Sequence, residues 1–117
     1  MPNFCVEFYE TPQGTFPAEE FIDEQDSKMQ AKLYRLIELL EIKGSELREP
    51  YSKALRDGIF ELRAQQGGDR ARVLYFFVVG RRVILTNGFI KKTPKTPLSE
   101  IETARRARDA FMQNEVK

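Results

Sequence analysis

The sequence lacks histidine and tryptophan, and its 117 residues include a single cysteine, Cys5. Without histidine, a Cys/His zinc site and the Ser-His-Asp and Cys-His catalytic groupings are excluded. One cysteine also rules out a disulfide within the chain, which favours a reducing compartment. Any catalytic chemistry must therefore use other side chains.

Long hydrophobic runs are missing as well. No apolar stretch approaches the roughly 18 residues of a membrane-spanning helix, and the first residues lack the pattern of a secretory signal. We therefore expect a cytoplasmic protein that makes no membrane contact. The chain length falls within the roughly 100–200 residues of a typical domain, which predicts one domain over residues 1–117.

The net charge of +1 conceals an uneven distribution of charge. Residues 1–50 carry 5 Lys/Arg and 11 Asp/Glu, whereas residues 51–117 carry 14 Lys/Arg and 7 Asp/Glu. Such an asymmetry indicates an anionic partner for the basic half. The alternative is that the two halves neutralise each other within the fold, and charge alone leaves both interpretations open.

The acidic half predicts one strand and two helices. Alternating apolar residues over 3–9 predict a half-buried strand. Pro17 suits the first turn of a helix, Asp26 suits the N-cap of a second helix, and Gly44 suits its end. The predicted buried residues of this half are Phe4, Val6, Phe8, Phe21, Ile22, Met29, Leu33, Leu36, Ile37 and Leu40.

The basic half predicts three strands and a last helix. Residues 58–64, 71–79 and 82–90 are rich in β-branched and aromatic side chains, and glycine-containing pairs at 67–68 and 80–81 predict two-residue hairpin loops. Thr96 and Pro97 suit the N-cap and first turn of a helix. Its apolar stripe is predicted to be Leu98, Ile101, Ala104 and Phe111. The order β-α-α-β-β-β-α predicts an α+β fold with a mostly antiparallel, twisted sheet, two N-terminal helices and a C-terminal helix.

The hairpin register predicts a cluster of charges. With each hairpin centred on its glycine-containing pair, Arg72 lies opposite both Arg63 and Phe89, and Lys91 shares the face of Phe89. One end of this sheet face then holds Glu61, Arg63, Arg72, Phe89 and Lys91. Facing like charges are destabilising, so the repulsion is offset either by bracing from Glu61 or by a bound anion such as phosphate. A loop of odd length in either hairpin would disperse the cluster.

The same register assigns the apolar residues to the two faces of the sheet. The face of the charged cluster is predicted to continue with Leu74, Phe76, Val78, Val83 and Leu85. The opposite face is predicted to carry Phe60, Leu62, Val73, Tyr75, Phe77, Ile84 and Ile90.

A second group of cations follows the last strand, in residues 91–97. Lysines here lead into the N-terminus of a helix, where free N–H groups and the helix dipole favour anions. A nucleic-acid backbone is the corresponding polyanion, and a merely solvated lysine-rich loop is the alternative. Phe89, beside these cations, is a candidate for stacking on a base, whereas Phe76 and Phe77 are expected in the core.

Residues 53–63, 72–77 and 88–97, followed by Glu100 and Ile101, resemble a known family. They are similar to the phage-derived branch of the RelE/HigB toxins, in the RelE/ParE superfamily of bacterial type II toxin–antitoxin systems, over about residues 3–112. The resemblance implies a RelE-like toxin that a helix-turn-helix antitoxin holds inactive and that cleaves mRNA on the ribosome without a metal or other cofactor. ParE members share the fold but inhibit DNA gyrase by binding, which is the alternative function.

By position, Arg63, Arg72 and Lys91 fall where this branch places its active-site cations, the same three residues that the hairpin register brings together. The arginines suit phosphate binding because they do not deprotonate. The predicted RNA-binding residues are Lys53, Phe89, Lys92 and Lys95.

The sequence departs from other branches of the superfamily in the groups that would move protons. It lacks the active-site histidines of other HigB members and the tyrosine that RelE members carry near the start of the last helix. Proton transfer is therefore left to Lys91, whose pKa neighbouring cations would lower, or to Glu61. For Glu61 the alternative role is an ion pair that orients Arg63.

Overall fold

The computed structural model describes residues 3–115, which form five strands and three α-helices. The elements are β1 (Cys5–Phe8), α1 (Pro17–Asp23), α2 (Ser27–Lys43), β2 (Ser52–Ala54), β3 (Phe60–Gln66), β4 (Asp69–Val78), β5 (Arg82–Ile90) and α3 (Leu98–Glu115). A 3-10 turn, Gly44–Glu46, follows α2. The predicted α+β fold is confirmed. The short strand β2 was not predicted, because three residues are too few to show a periodicity.

The five strands form one sheet in the order β1-β5-β4-β3-β2. Strand β1 pairs with β5 in parallel, and the other three pairings are antiparallel. The expectation of a mostly antiparallel sheet is therefore correct. The two strands that carry Arg63 and Arg72, β3 and β4, lie next to each other inside the sheet.

Helices cover both faces of the sheet and divide the core in two. Helices α1 and α2 pack on one face, and α3 packs on the other. The first core includes Ile22, Leu33, Leu40, Leu62, Val73 and Tyr75; the second includes Ile59, Leu74, Phe76, Ile84, Ala104 and Ala107. Leu98, expected in the buried stripe of α3, is 65% exposed, because the helix first meets the sheet one turn later at Ile101.

Two predicted helix boundaries have clear local causes. The Asp26 carboxylate accepts a hydrogen bond from the main-chain N–H of Met29 at 2.8 Å, which caps α2. Helix α2 ends at Gly44, whose φ of 54° favours glycine. A Cβ at Gly44 would also overlap the ring of Phe4, so the close approach of the N-terminal segment requires glycine there.

The first hairpin has the predicted loop and register. Gln66 pairs with Asp69 around a two-residue glycine loop, and Arg63 pairs with Arg72. The second hairpin differs, because Val78 pairs with Arg82 and leaves a loop of three residues, 79–81. Gly80 and Arg81 in this loop adopt positive φ angles of 94° and 60°.

Because the second loop has three residues, part of the predicted assignment of β5 residues to the two sheet faces is wrong. Val83 and Leu85 lie in the core under α1 and α2, and Ile84 lies in the core under α3, the reverse of the prediction for these three residues. The register then shifts between Leu74 and Tyr75, where Thr86 is the extra residue of a β-bulge in β5. The bulge cancels the effect of the loop beyond this point.

Because the two deviations cancel, Arg72 pairs with Phe89 as predicted. The Thr86 hydroxyl oxygen lies 3.2 Å from the Leu74 carbonyl oxygen and 2.6 Å from Oδ1 of Asn87, and its single proton is shared between these two acceptors. The contact with the Leu74 carbonyl gives this main-chain acceptor a partner at the bulge. The charged end of the sheet face is therefore assembled as the sequence indicates.

Within residues 3–115, none of the helices combines the length and the apolar character needed to cross a bilayer.

Candidate functional site

Strands β3, β4 and β5 bring two arginines and a phenylalanine into one row. Arg63 lies directly opposite Arg72, which in turn lies opposite Phe89. The main-chain N–H of Arg63 donates to the Tyr51 carbonyl at 2.9 Å, which fixes this end of β3. Two cations on neighbouring strands repel each other, so the fold must offset that repulsion.

Glu61 supplies this offset from a buried position on β3. Its side chain is 1% exposed, and its Oε2 lies 3.7 Å from Nε of Arg63 and 3.8 Å from Nε of Arg72. The other oxygen, Oε1, accepts a hydrogen bond from the Thr96 hydroxyl at 2.6 Å. A buried carboxylate needs such partners to be tolerated. The sequence left two ways to offset the repulsion between the arginines, bracing by Glu61 or a bound anion. The contacts of Glu61 correspond to the first of these.

Arg72 is the most deeply buried cation of the site and is incompletely satisfied. The residue is 4% exposed, and one of its terminal nitrogens donates to the Ala71 carbonyl at 3.1 Å. Its buried Nε makes no hydrogen bond within residues 3–115. Burial lowers the pKa of Arg72, Glu61 raises it, and Arg63 and Arg70 lower it further. The guanidinium remains charged, because arginine starts from so high a pKa.

Arg63 is the more accessible of the two arginines. Its side chain is 26% exposed and forms an ion pair with Glu49 at 3.3 Å, whose side chain is 66% exposed. Such solvent-exposed pairs contribute little free energy. A stronger anion can therefore replace Glu49 at this guanidinium at low cost.

Lys91 joins the site at the end of β5. Its main-chain N–H donates to the Arg70 carbonyl at 2.7 Å, which extends the ladder by one residue and puts Lys91 on the face of Phe89. The side chain is half-buried, and this desolvation lowers the pKa of Lys91. Arg72 lowers this pKa further, whereas Glu61 raises it. A lysine so placed gives up its proton more easily than a free one.

The predicted RNA-binding residues fall into two groups. Lys53 lies opposite Glu61 on β2, and Phe89 is half-buried against the core under α3, so both lie at the charged cluster. Lys92 and Lys95 are exposed in the loop after β5. In the part of the chain that the structure describes, neither forms a hydrogen bond through its side chain or an ion pair with the cluster.

Two residues of the site were not assigned to it from the sequence. Arg70 is exposed two residues before Arg72 on β4, hence on the same face, and it lowers the pKa of both Arg72 and Lys91. The spacing of 70 and 72 was the available signal. Thr96 was predicted as a helix cap, but its hydroxyl binds Glu61, 35 residues away in sequence. No local pattern indicates a contact at that separation.

The loop between β5 and α3 is anchored at both ends. It starts at Lys91, held to β4 through the main chain, and it ends at Thr96, held to β3 through Glu61. Asn87 of β5 donates to the Glu100 carboxylate at 3.0 Å, which ties the first turn of α3 to the sheet. The lysines of the loop are therefore held at the border of the arginine pair.

Comparison with known proteins identifies a family for this chain. Residues 20–109 match the family model described as "Phage derived protein Gp49-like (DUF891)", and this range contains all the residues of the candidate site. No curated protein matches the chain. The match covers well over half of the 117 residues. The chain therefore belongs to the Gp49-like phage-derived protein family, a RelE/ParE-like toxin family of toxin–antitoxin systems, and this membership implies a cognate antitoxin as its partner.

Proposed function

We propose that this protein is a type II toxin that cleaves mRNA on the ribosome, as RelE and HigB toxins do. The observation that supports this most directly is the assembly of Arg63, Arg72 and Lys91 at one end of one sheet face, around a buried carboxylate. Such a cluster suits the binding of a phosphodiester and the stabilisation of charge on it. Membership of a toxin family supports the same function.

The proposed reaction is attack of a ribose 2′-oxygen on the adjacent phosphorus. The O2′–P bond forms while the P–O5′ bond breaks, which leaves a 2′,3′-cyclic phosphate and a 5′-hydroxyl end. The reaction needs a base for the 2′-hydroxyl, cations for the charge that develops on the phosphate oxygens, and a proton for the leaving 5′-oxygen. No step requires a metal ion.

The two arginines have different roles in this proposal because they differ in exposure. Arg63 binds the phosphate oxygens directly, in exchange for its exposed ion pair with Glu49. Arg72 lies beneath and contributes positive charge, and it touches the phosphate only after a side-chain rearrangement. The cations that line the RNA backbone around them are Lys53, Arg70, Lys92 and Lys95.

We assign proton transfer to Lys91 and positioning to Glu61. Burial and Arg72 lower the pKa of Lys91, so it exchanges a proton closer to neutral pH than an ordinary lysine. Glu61 is 1% exposed, with one carboxylate oxygen bound to Thr96 and the other facing both arginines, which favours orienting these groups over accepting a proton from RNA. The half-exposed ring of Phe89 offers a stacking surface for a base beside the cleaved bond.

The proposed dependence on the ribosome follows from how few groups the site contains. A chain without histidine has no side chain that titrates near pH 7 without help. Alignment of the 2′-oxygen with the scissile bond supplies a large part of the barrier reduction in such reactions. A ribosome that bends mRNA into this geometry would supply what the isolated site lacks.

The order of events after induction in cells tests this function. We expect incorporation of labelled amino acids to fall before any sign of DNA damage, and the Arg63→Ala variant to show neither effect. A toxin that inhibits DNA gyrase by binding would give the reverse order. Early DNA damage with continuing protein synthesis would overturn the proposal.

A further inference from the structure

The β-bulge at Thr86 decides which residues of β5 face the candidate site. If the register of the first part of β5 continued without the bulge, Gly88 rather than Phe89 would lie opposite Arg72. Lys91 would then point to the other face of the sheet, under α1 and α2, because successive residues of a strand alternate. The extra residue therefore directs both Phe89 and Lys91 to the arginine pair.

The packing under α1 also opposes the register without a bulge. Gly88 lies opposite Val73 on the face that α1 and α2 cover, and a Cβ at Gly88 would overlap the ring of Phe21. A shift of β5 by one residue would bring Asn87 into this position, and its side chain would displace Phe21 from the core. Glycine at position 88 is thus required by the same register that the bulge produces.

Buried polar side chains hold the bulge in place. Thr86 is 1% exposed and Asn87 is 5% exposed. The Thr86 hydroxyl lies between the Leu74 carbonyl and Oδ1 of Asn87. Nδ2 of Asn87 donates to the Glu100 carboxylate at 3.0 Å and lies 3.4 Å from the Glu100 carbonyl. A buried chain of polar groups favours one arrangement, because any group left without a partner costs free energy.

The Asn87 amide connects the strand that carries Lys91 to the helix that follows the lysine loop. Asn87 lies opposite Leu74, on the sheet face that α3 covers, and Glu100 lies in the first turn of α3. Packing alone would be served by an apolar side chain, as it is at Leu74 and Ile84 in the same core. The polar group at position 87 therefore points to a need for a defined geometry.

We propose that Asn87 is a positioning residue for the proposed mRNA cleavage, because its bonds hold the β5 bulge in the register that directs Lys91 to the arginine pair. Bulges beside active sites commonly re-aim a side chain in this way. Asn87 is buried and acts through Lys91, without contact with RNA. Its effect on cleavage rests on the proposed function, whereas its effect on the position of Lys91 does not.

An exchange of donor and acceptor tests the bond between Asn87 and Glu100. Asn87→Asp removes the donor and places two carboxylates together, and its combination with Glu100→Gln returns a donor from the helix side at the wild-type net charge. Asn87→Leu breaks the same bond without adding a charge. Asn114→Asp is the matched control, the same change at an exposed asparagine of α3. NMR titration of the lysine side chains reports the pKa of Lys91, and a translation reaction gives kcat and KM for cleavage.

The two single variants should release Lys91 from the cluster. We expect its pKa to rise towards the ordinary lysine value in Asn87→Leu and Asn87→Asp, because Lys91 loses the burial and the nearby Arg72 that lower it. We expect kcat to fall by about 10²-fold, the usual loss when a reacting group is misplaced by about 1 Å. KM should change far less, since the arginines still bind phosphate. The exchanged pair and the control should behave as the wild type.

A wild-type pKa of Lys91 in folded Asn87→Leu would overturn the proposal, and so would an exchanged pair as impaired as Asn87→Asp. If neither single variant folds in thermal unfolding, Thr86→Val removes the hydroxyl of the bulge with little change of shape, and the same rise in the pKa of Lys91 is expected. A wild-type protein that cleaves no mRNA would refute the proposed function, while the titration would still decide whether Asn87 positions Lys91.

Discussion

At the scale of single residues, the site depends on a buried carboxylate between two arginines. Glu61 faces both Arg63 and Arg72 at less than 4 Å, and it is the group that makes their direct opposition tolerable. Removing one partner of a buried charge network typically costs about 3–5 kcal/mol, because it leaves an uncompensated charge. We therefore regard Glu61 as structural first and as a determinant of activity through the arginines.

Replacement of the accessible arginine tests its proposed role. We expect Arg63→Ala to lower the rate of mRNA cleavage in a translation reaction by about 10²–10³-fold, the usual loss on removal of one donor that stabilises developing charge. Primer extension on the message measures this rate. Arg106→Ala is the control, because the Arg106 side chain is 78% exposed on α3 and lies outside the cluster. Equal rates for the wild type and Arg63→Ala would exclude Arg63 from the reaction.

The pH dependence of cleavage tests the role of Lys91. Its pKa is lowered, so raising the pH through that pKa increases the neutral fraction that can accept a proton. We expect single-turnover cleavage to rise with pH in the wild type. We expect Lys91→Arg to be slow and to lack that rise, because arginine stays protonated. The same pH profile in both proteins would assign the base elsewhere.

At the scale of elements, the sequence predicts the pairing of Arg63, Arg72 and Phe89 correctly. It assigns the first part of β5, the strand that carries Phe89, to the wrong faces of the sheet. The glycine pair at 67–68 fixes the first hairpin, and alternation then places Arg63 opposite Arg72. The second hairpin has a three-residue loop and a bulge at Thr86, and neither has a local signature in the sequence. Their effects cancel at Phe89 but not at Val83, Ile84 and Leu85, which is why only the latter were assigned to the wrong faces.

Contacts between segments that are distant in sequence could not be predicted from local sequence patterns. Thr96 is of a residue type that caps helices, but Pro97 directly precedes α3, and only the folded structure shows that the Thr96 hydroxyl reaches Glu61. A groove between α2 and β3 is likewise formed by segments far apart in sequence, from Ala31 to Gln65. Such features depend on how the layers pack, which hydrophobic periodicity does not encode.

The bond between Thr96 and Glu61 is tested by an isosteric change. Thr96→Val removes a hydrogen bond to a charged group, which is worth about 1.5–3 kcal/mol, and it releases one end of the lysine loop. We expect a lower free energy of unfolding in urea. For mRNA cleavage, we expect KM to rise by a larger factor than kcat falls. Thr103→Val is the control, since the Thr103 hydroxyl donates within α3, to the Ser99 carbonyl at 3.0 Å. If both variants behave alike, Thr96 does not position the loop.

At the scale of the whole molecule, the uneven charge survives folding. Within residues 3–115, two ion pairs join an acid of the first fifty residues to a base of the rest, Glu7 with Arg82 and Glu49 with Arg63. The other ion pairs of this range lie within the basic half. Direct pairing between the halves is therefore limited, and the cations around the candidate site are left to attract a polyanion.

The sparse site also predicts a strong dependence on the ribosome. We expect the purified protein to cleave free single-stranded RNA weakly or not at all, and to cleave the same RNA when ribosomes translate it. Gel analysis of one end-labelled message, with and without ribosomes, measures the difference. Rapid degradation of the bare RNA would show that the site needs no help with substrate geometry.

The central claim, mRNA cleavage by the Arg63, Arg72 and Lys91 cluster, is tested most directly by mapping the 5′ ends of cellular mRNA after induction. The wild-type protein should create new ends within translated regions, and these ends should carry 5′-hydroxyl groups. Lys91→Ala, expressed to the same level and folded, should not create them. New ends that persist in Lys91→Ala, or growth arrest by the wild type without any new ends, would contradict the account.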